Sequence, residues 1–308
     1  MIHSFLSTLI FCALISVVTA APSLQRRQAI TTISTTKRAS FKPYSFYAST
    51  AYCQPAKTLT WKCGANCKAN PSFEPVASGG DGSDTPFWYV GFDPTLNTVI
   101  SAHEGTNTSS ILSLLTDANV AFTNLDSKLF PGVPAAVQVH SGFAASQAQT
   151  AHSILAAVKS TLSTFASTSP SVTVVGHSLG AAISLLDAVY LPLHLPSGTQ
   201  IKYIGYGLPR VGNQNFANYV DNHITALNGG QGLTRINNRE DPIPINPGMF
   251  LGFHHPSGEL HIQDSGDWDA CPGQDNPSTL CIVGDVPSDV QGNLTNHDGP
   301  YNGVTMGC

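Results

Sequence analysis

A serine hydroxyl is a weak nucleophile at neutral pH, so a chain that uses one must lift it clear of its neighbours and supply a base. The run Val174-Val175-Gly176-His177-Ser178-Leu179-Gly180-Ala181-Ala182 suits the first task. Its Gly-x-Ser-x-Gly centre is a weak pattern by itself in a chain rich in Gly and Ser. The residues around it add weight: an apolar run precedes it and small, helix-compatible residues follow. That is the strand–turn–helix context of a nucleophile elbow. Such a turn leaves no room for side chains at Gly176 and Gly180. It raises the Ser178 hydroxyl above a sheet and aims the Leu179 N–H at a bound carbonyl oxygen, where the helix N-terminus adds partial positive charge. The competing reading is an ordinary glycine-rich turn.

The second task needs a histidine base and a carboxylate that fixes its tautomer. Behind a nucleophile elbow the acid follows the serine and the histidine comes last. Asp187 falls inside the helix after the serine, and Asp221 lies on another expected helix. Asp241 follows the strand 233–236 and its polar extension and precedes Pro242, which puts it in a loop at a strand's C-terminal end. Its neighbour Glu240 is the rival and reads as a solvated loop charge. Of the histidines beyond Asp241 (His254, His255, His261 and His297), His297 lies in a C-terminal loop eleven residues before Cys308. A crosslink from Cys308 to the N-terminal region would hold that loop down. His255 is the runner-up base, its plainer reading a hydrogen-bonded histidine at a strand start.

The elements that must carry these residues alternate. Runs 87–92 and 98–103, rich in β-branched and aromatic residues, read as a hairpin around Asp93-Pro94-Thr95-Leu96-Asn97. Residues 135–140 read as a strand. Ala151, Leu155, Val158, Leu162 and Phe165 then recur at helical spacing up to Pro170. Strand 172–175, helix 179–191, strand 201–206, a helix around 216–223 and strand 233–236 follow. After Pro242 the elements are short. Strand–helix alternation predicts a mostly parallel central sheet flanked by helices. With the elbow, that makes an α/β-hydrolase fold in a single domain.

Composition sets the compartment. Residues 5–18 are almost continuously apolar and end in Val18-Thr19-Ala20, so 1–20 reads as a signal peptide. Residues 21–39 carry the pairs Arg26-Arg27 and Lys37-Arg38 in a Ser/Thr-rich stretch without periodicity, read as a pro-segment or a disordered tail. The hydrolase domain is then expected over 40–308. A net charge of −5 offers no basic face for nucleic acid or anionic lipid. No Gly-rich phosphate loop or metal-ligand spacing is present, so no cofactor or metal is expected. Cys12 falls in the signal peptide, leaving Cys53, Cys63, Cys67, Cys271, Cys281 and Cys308. Six cysteines in an exported chain read as three disulfides, with fifteen pairings open. Local loops Cys63–Cys67 and Cys271–Cys281 would leave Cys53 for Cys308, and a zinc site at Cys63/Cys67 is the rival.

The elbow does not stand alone. Val139-His140-Ser141-Gly142-Phe143, Gly207-Leu208-Pro209-Arg210-Val211-Gly212-Asn213 with Phe216-Ala217, and Asp241-Pro242-Ile243-Pro244 accompany it in order. Together they resemble the secreted fungal class 3 lipases and their feruloyl esterase relatives across residues 45–308. The resemblance implies a triad of Ser178, Asp241 and His297 and the disulfide framework just outlined, although Asn296-His297-Asp298-Gly299-Pro300-Tyr301 is a looser histidine context than the family's. It also implies that Thr106, in His103-Glu104-Gly105-Thr106, supplies an oxyanion N–H beside that of Leu179. Glu104 stands where many relatives carry Arg.

Residues 107–117 carry Ile111, Leu112, Leu114 and Leu115. The residues alone leave a core helix or a lid open, and the family position implies a lid that opens at a lipid–water interface. Asn107 and Asn293 begin glycosylation sequons. The resulting expectation is a secreted, monomeric triacylglycerol lipase with no integral membrane segment and no nucleic-acid partner. A feruloyl or other soluble carboxylesterase is the alternative, and a catalytically silent binding protein on the same fold is the remote one.

Overall fold

The computed structural model describes residues 29–106, 108–116, 120–165 and 170–308. Residues 1–20 with Cys12, the Arg26-Arg27 pair and Asn107 lie outside them.

Among the described residues the chain builds a nine-stranded sheet. Its spatial order is Thr31–Thr32, Trp268–Cys271, Glu259–Ile262, Leu233–Asn238, Gln200–Tyr206, Ser171–His177, Thr98–His103, Trp88–Asp93 and Glu74–Gly79. The strands from Glu259–Ile262 to Thr98–His103 run parallel, and the flanking pairs are antiparallel. This is the α/β-hydrolase arrangement.

Parallel strands covered on both faces read as unbroken apolar runs, because each face must meet a core. Val172 and Val174 pack with the helices Ser141–Phe165 and Leu179–Tyr190. Val175, one pleat on, joins Tyr44, Tyr47 and Ala48 of the helix Lys42–Thr50 in a second core. The hairpin appears as Trp88–Asp93 and Thr98–His103. The helix expected from 179 appears as Leu179–Tyr190, all of it buried. Three disulfides close the framework: Cys53–Cys308, Cys63–Cys67 and Cys271–Cys281. Among the described residues no helix is long and apolar enough to cross a membrane.

The structure departs from the expectation in three places. The strand at 135–140 shortens to Gln138–His140 and leaves the main series. It joins Phe122–Asn124, Gly212–Asn213 and Phe253–His254 in a small antiparallel sheet. Ser141 already begins the next helix, so the strand has no length to run through the main sheet. Beyond Pro242 two further strands, Glu259–Ile262 and Trp268–Cys271, widen that sheet. Their buried polar side chains hide the apolar alternation, since Glu259 pairs with Arg235 and His261 with Asp285.

The fold also begins before residue 40. Thr31–Thr32 adds to Trp268–Cys271, with Ile33 N–H donating to the Trp268 carbonyl at 2.8 Å and Thr32 to Asp269 at 2.7 Å. The helix Thr35–Ala39 follows, capped by the Ser34 side chain. Lys37 and Arg38 reach Gln231 and the Gly266 carbonyl. A two-residue strand and a single helical turn are too short to show a period, which is why this stretch resembles a tail in sequence.

Candidate active site

The elbow is strained as its sequence requires. Ser178 takes φ 58° and ψ −129°, a left-handed backbone that a non-glycine residue adopts only when its surroundings impose it. Its N–H donates to the Tyr206 carbonyl at 3.0 Å, which ties the turn to the neighbouring strand. A Cβ on Gly176 would collide with the Gly180 backbone. One on Gly180 would collide with the His103 carbonyl and Glu104. The helix Leu179–Tyr190 starts at once: the Ala181 and Ala182 N–H groups donate back to the Ser178 carbonyl at 3.0 and 3.2 Å, while those of Leu179 and Gly180 come too early in the helix for an intrahelical acceptor.

The acid and the histidine meet beside it. Asp241 follows the strand Leu233–Asn238, and its Oδ2 accepts from His297 Nδ1 at 2.8 Å. A carboxylate only accepts, so the proton sits on Nδ1 and the lone pair of the neutral ring is on Nε2. The other Asp241 oxygen accepts from the Ile243 N–H, which fixes the carboxylate. Ser178 Oγ and His297 Nε2 are both buried and, among the described residues, without a hydrogen-bond partner. A buried polar atom left so costs about 1–3 kcal/mol. One is a hydroxyl and the other a free imidazole nitrogen; the two do not hydrogen-bond to each other, and what brings them near is the His297 ring packing at 4.4 Å against His177, the residue before the serine. Ser178, Asp241 and His297 are all fully buried, so the site is closed.

The His297 loop is braced from several sides. Asn238 donates to the Asn296 carbonyl at 2.9 Å, and Asn296 donates to Glu240 at 2.7 Å. Glu240 is therefore half-buried support for this loop and not a solvated charge. Gly207, at φ 53°, lies against the His297 ring, where a Cβ would come within 2.8 Å of Cε1. The rival His255 is committed elsewhere: its Nε2 donates to the Pro244 carbonyl at 2.7 Å. Asp187 is held by His103 at 2.7 Å and by Gln147 at 2.9 Å. Asp221 binds Ser257 and Thr225.

Two residues in this network escape a reading of the sequence. His177 Nε2 lies 2.7 Å from the His297 carbonyl and must donate to it, so Nδ1 accepts from the Tyr52 hydroxyl at 2.6 Å. The same hydroxyl meets the Gly105 N–H. Burial, then the nearby His297 ring, holds His177 well below the usual imidazole range, and it stays neutral. Tyr52 and His177 thus join the 104–106 loop, the elbow and the histidine loop. His177 occupies a variable position of the elbow pattern, and nothing in the sequence around Tyr52 signals a role.

Thr106 is half-buried at the end of that loop. Glu104 accepts from the Phe87 N–H at 2.8 Å, and burial raises its carboxyl above the usual range. The helix Thr108–Thr116 lies beyond it. Ile111 and Leu115 are buried in the core that contains Leu179 and Leu208, while Leu114 is 37% exposed. The Leu112 side chain lies outside the described residues. Asn293 is exposed, and its side-chain oxygen accepts from the hydroxyl of Thr295 at 2.7 Å.

Comparison with known proteins follows the same outline. The model of the class 3 lipases matches residues 100–251. Two secreted mono- and diacylglycerol lipases of Malassezia globosa align with the chain. One is 36% identical over 209 residues, covering 67% of this chain and 64% of its own length. The other is 33% identical over 224 residues, covering 72% and 69%. The alignment thus spans just under two thirds of the first relative. The crystal structure of the Lip2 lipase from Yarrowia lipolytica superimposes with a TM-score of 0.75 at 24% identity, covering 92% of this chain and 98% of that one, a likeness of fold.

Proposed function

Because the chain belongs to the class 3 lipase family, we propose that it is a secreted serine ester hydrolase that cleaves acylglycerols at a lipid–water interface. The observation that carries this reading is the buried pair of unpartnered atoms, Ser178 Oγ and His297 Nε2, with Asp241 on the far side of the imidazole.

The chemistry derives from that geometry. Ser178 Oγ attacks the ester carbonyl carbon as its proton passes to His297 Nε2, and Asp241 stabilises the imidazolium. The carbonyl oxygen becomes an oxyanion, received by the N–H groups of Leu179 and Thr106. Collapse breaks the bond to the glycerol oxygen, which takes the proton from His297 and leaves an acyl-enzyme. Water then attacks the acyl carbon and gives a proton to His297, which returns it to Ser178 as the fatty acid departs. The helix Thr108–Thr116 acts as the lid, since the three side chains are fully buried and substrate must displace something to reach them.

The relatives' names favour mono- and diacylglycerols, and triacylglycerol is the larger substrate the same chemistry serves. Rates on monoolein, diolein and triolein emulsions and on a soluble aryl ester separate these readings. A serine-directed phosphonate is expected to label the protein and to fail on Ser178→Ala. Labelling that persists in the variant would put the nucleophile elsewhere, and an unreactive native chain would leave only a binding protein.

A further inference from the structure

The segment after the Asp241 loop ends in a feature the reaction does not use. Met249–Leu251 forms a single turn between Gly248 and Gly252, with Met249 41%, Phe250 89% and Leu251 45% exposed. The Phe250 ring folds over Gly248, where a Cβ would collide with it, and Gly252 closes the turn at φ 89°. Three adjacent large apolar residues displayed this way cost solubility and point to a partner surface.

The base of the turn is rigid although its tip is bare. Buried Arg210 donates to the Ile245 and Pro247 carbonyls, its own N–H to the Asn246 carbonyl at 2.8 Å, and it pairs with Asp275 at 2.7 Å. Phe253 re-enters the core directly after the turn and stacks on Phe122 at 4.1 Å. Phe122 also borders Gly252. On the other side, Phe253 approaches His140, which borders Gly142 together with Leu114 of the lid helix. A chain of contacts through buried Phe253 and His140 therefore links the base of the turn to the covering helix.

Charge selects the occupant. From residue 240 to 308 the chain holds ten Asp and Glu and no Lys or Arg, and residues 242–258 hold no Asp, Glu, Lys or Arg at all. This stretch offers an anionic bilayer no Lys or Arg to hold it, whereas an uncharged surface needs none.

We propose that Met249–Leu251 is a surface anchor that inserts into an uncharged acylglycerol phase and holds the lid-bearing mouth of the active site against it. The proposal rests on the hydrolase reading and extends it to how the enzyme docks. Flotation of the Ser178→Ala protein with triolein emulsion measures docking without turnover. Adding Phe250→Ser is expected to weaken partitioning about ten-fold or more, by loss of an exposed aromatic ring that the lipid phase would take up, while Leu59→Ser, at an exposed residue elsewhere, leaves it unchanged. Phosphatidylglycerol vesicles are expected to bind less protein than the emulsion. Undiminished flotation of Met249→Ser/Phe250→Ser, or a preference for the anionic vesicles, would overturn the anchor.

With Ser178 present, Phe250→Ser should hydrolyse p-nitrophenyl butyrate below its solubility limit at the native rate and lose activity on emulsion. Loss of both would mean that the turn supports the site itself, against the proposal. If the native chain hydrolyses no ester at all, the hydrolase reading falls, and the flotation series still decides the anchor.

Discussion

A hydroxyl with two partners of fixed polarity can act as a strut between moving parts. Tyr52 is such a residue: it donates to His177, which grips the backbone of His297, and it meets the N–H beside Thr106. Tyr52→Phe keeps the ring and orphans a buried imidazole nitrogen and a backbone N–H. The expected result is a fall of about ten-fold in kcat on a soluble ester, with KM little changed because Tyr52 is assigned no contact with substrate, and a stability loss of about 1–3 kcal/mol. A rate equal to the native one, measured at matched folded fraction, would remove Tyr52 from the positioning network. The site's legibility in sequence divides at this scale. That Asp241 and His297 meet is readable because chain order, a post-strand loop and a nearby crosslinking cysteine converge on them. Tyr52 and His177 are silent because their partners lie 125 and 120 positions away and no local pattern encodes such a bond.

At the level of elements, the elbow helix and the hairpin loop meet without a side chain between them. Gly180→Ala would press a methyl against the His103 carbonyl and Glu104, driving the 104–106 loop away from the first turn of the helix. Overpacking of this kind costs about 1–3 kcal/mol. The activity loss should be larger than the stability loss, at about 100-fold or more, because the two N–H groups proposed to receive the oxyanion, those of Leu179 and Thr106, lie on the two elements forced apart. Thermal melts and ester hydrolysis on one preparation test this, and equal small losses in both would unlink the two donors. Legibility follows apolar periodicity here too. The strands through Val99, Val174 and Ile204 announce themselves. Glu259–Ile262 does not, because Arg235 satisfies its buried carboxylate from the next strand and no single segment contains both.

Across the whole molecule the buried histidines set an acid limit. Burial holds His177 and His255 well below the usual range, opposed in part by the carbonyls they bind. The unfolded chain binds protons on both near pH 6.5, while the folded chain resists. Their contribution is therefore complete above about pH 6.5 and is lost as pH falls, at about 1.4 kcal/mol per unit for each group. Melting temperature is expected to drop steadily from pH 7 to pH 5, and His255→Gln should flatten the slope. A profile level across that range would mean that these rings take up protons without unfolding.

The short strand Thr31–Thr32 has a consequence for maturation. It occupies the outer hydrogen-bonding groups of Trp268–Cys271, and an unoccupied row of that kind is a template on which a second molecule can build. A protease that cut at Lys37-Arg38 would strip this cover and bare the outer row of Trp268–Cys271. Trimming that spares residues 31–39 would leave only the two-residue strand Thr31–Thr32 as the edge, too short a row for another chain to build on.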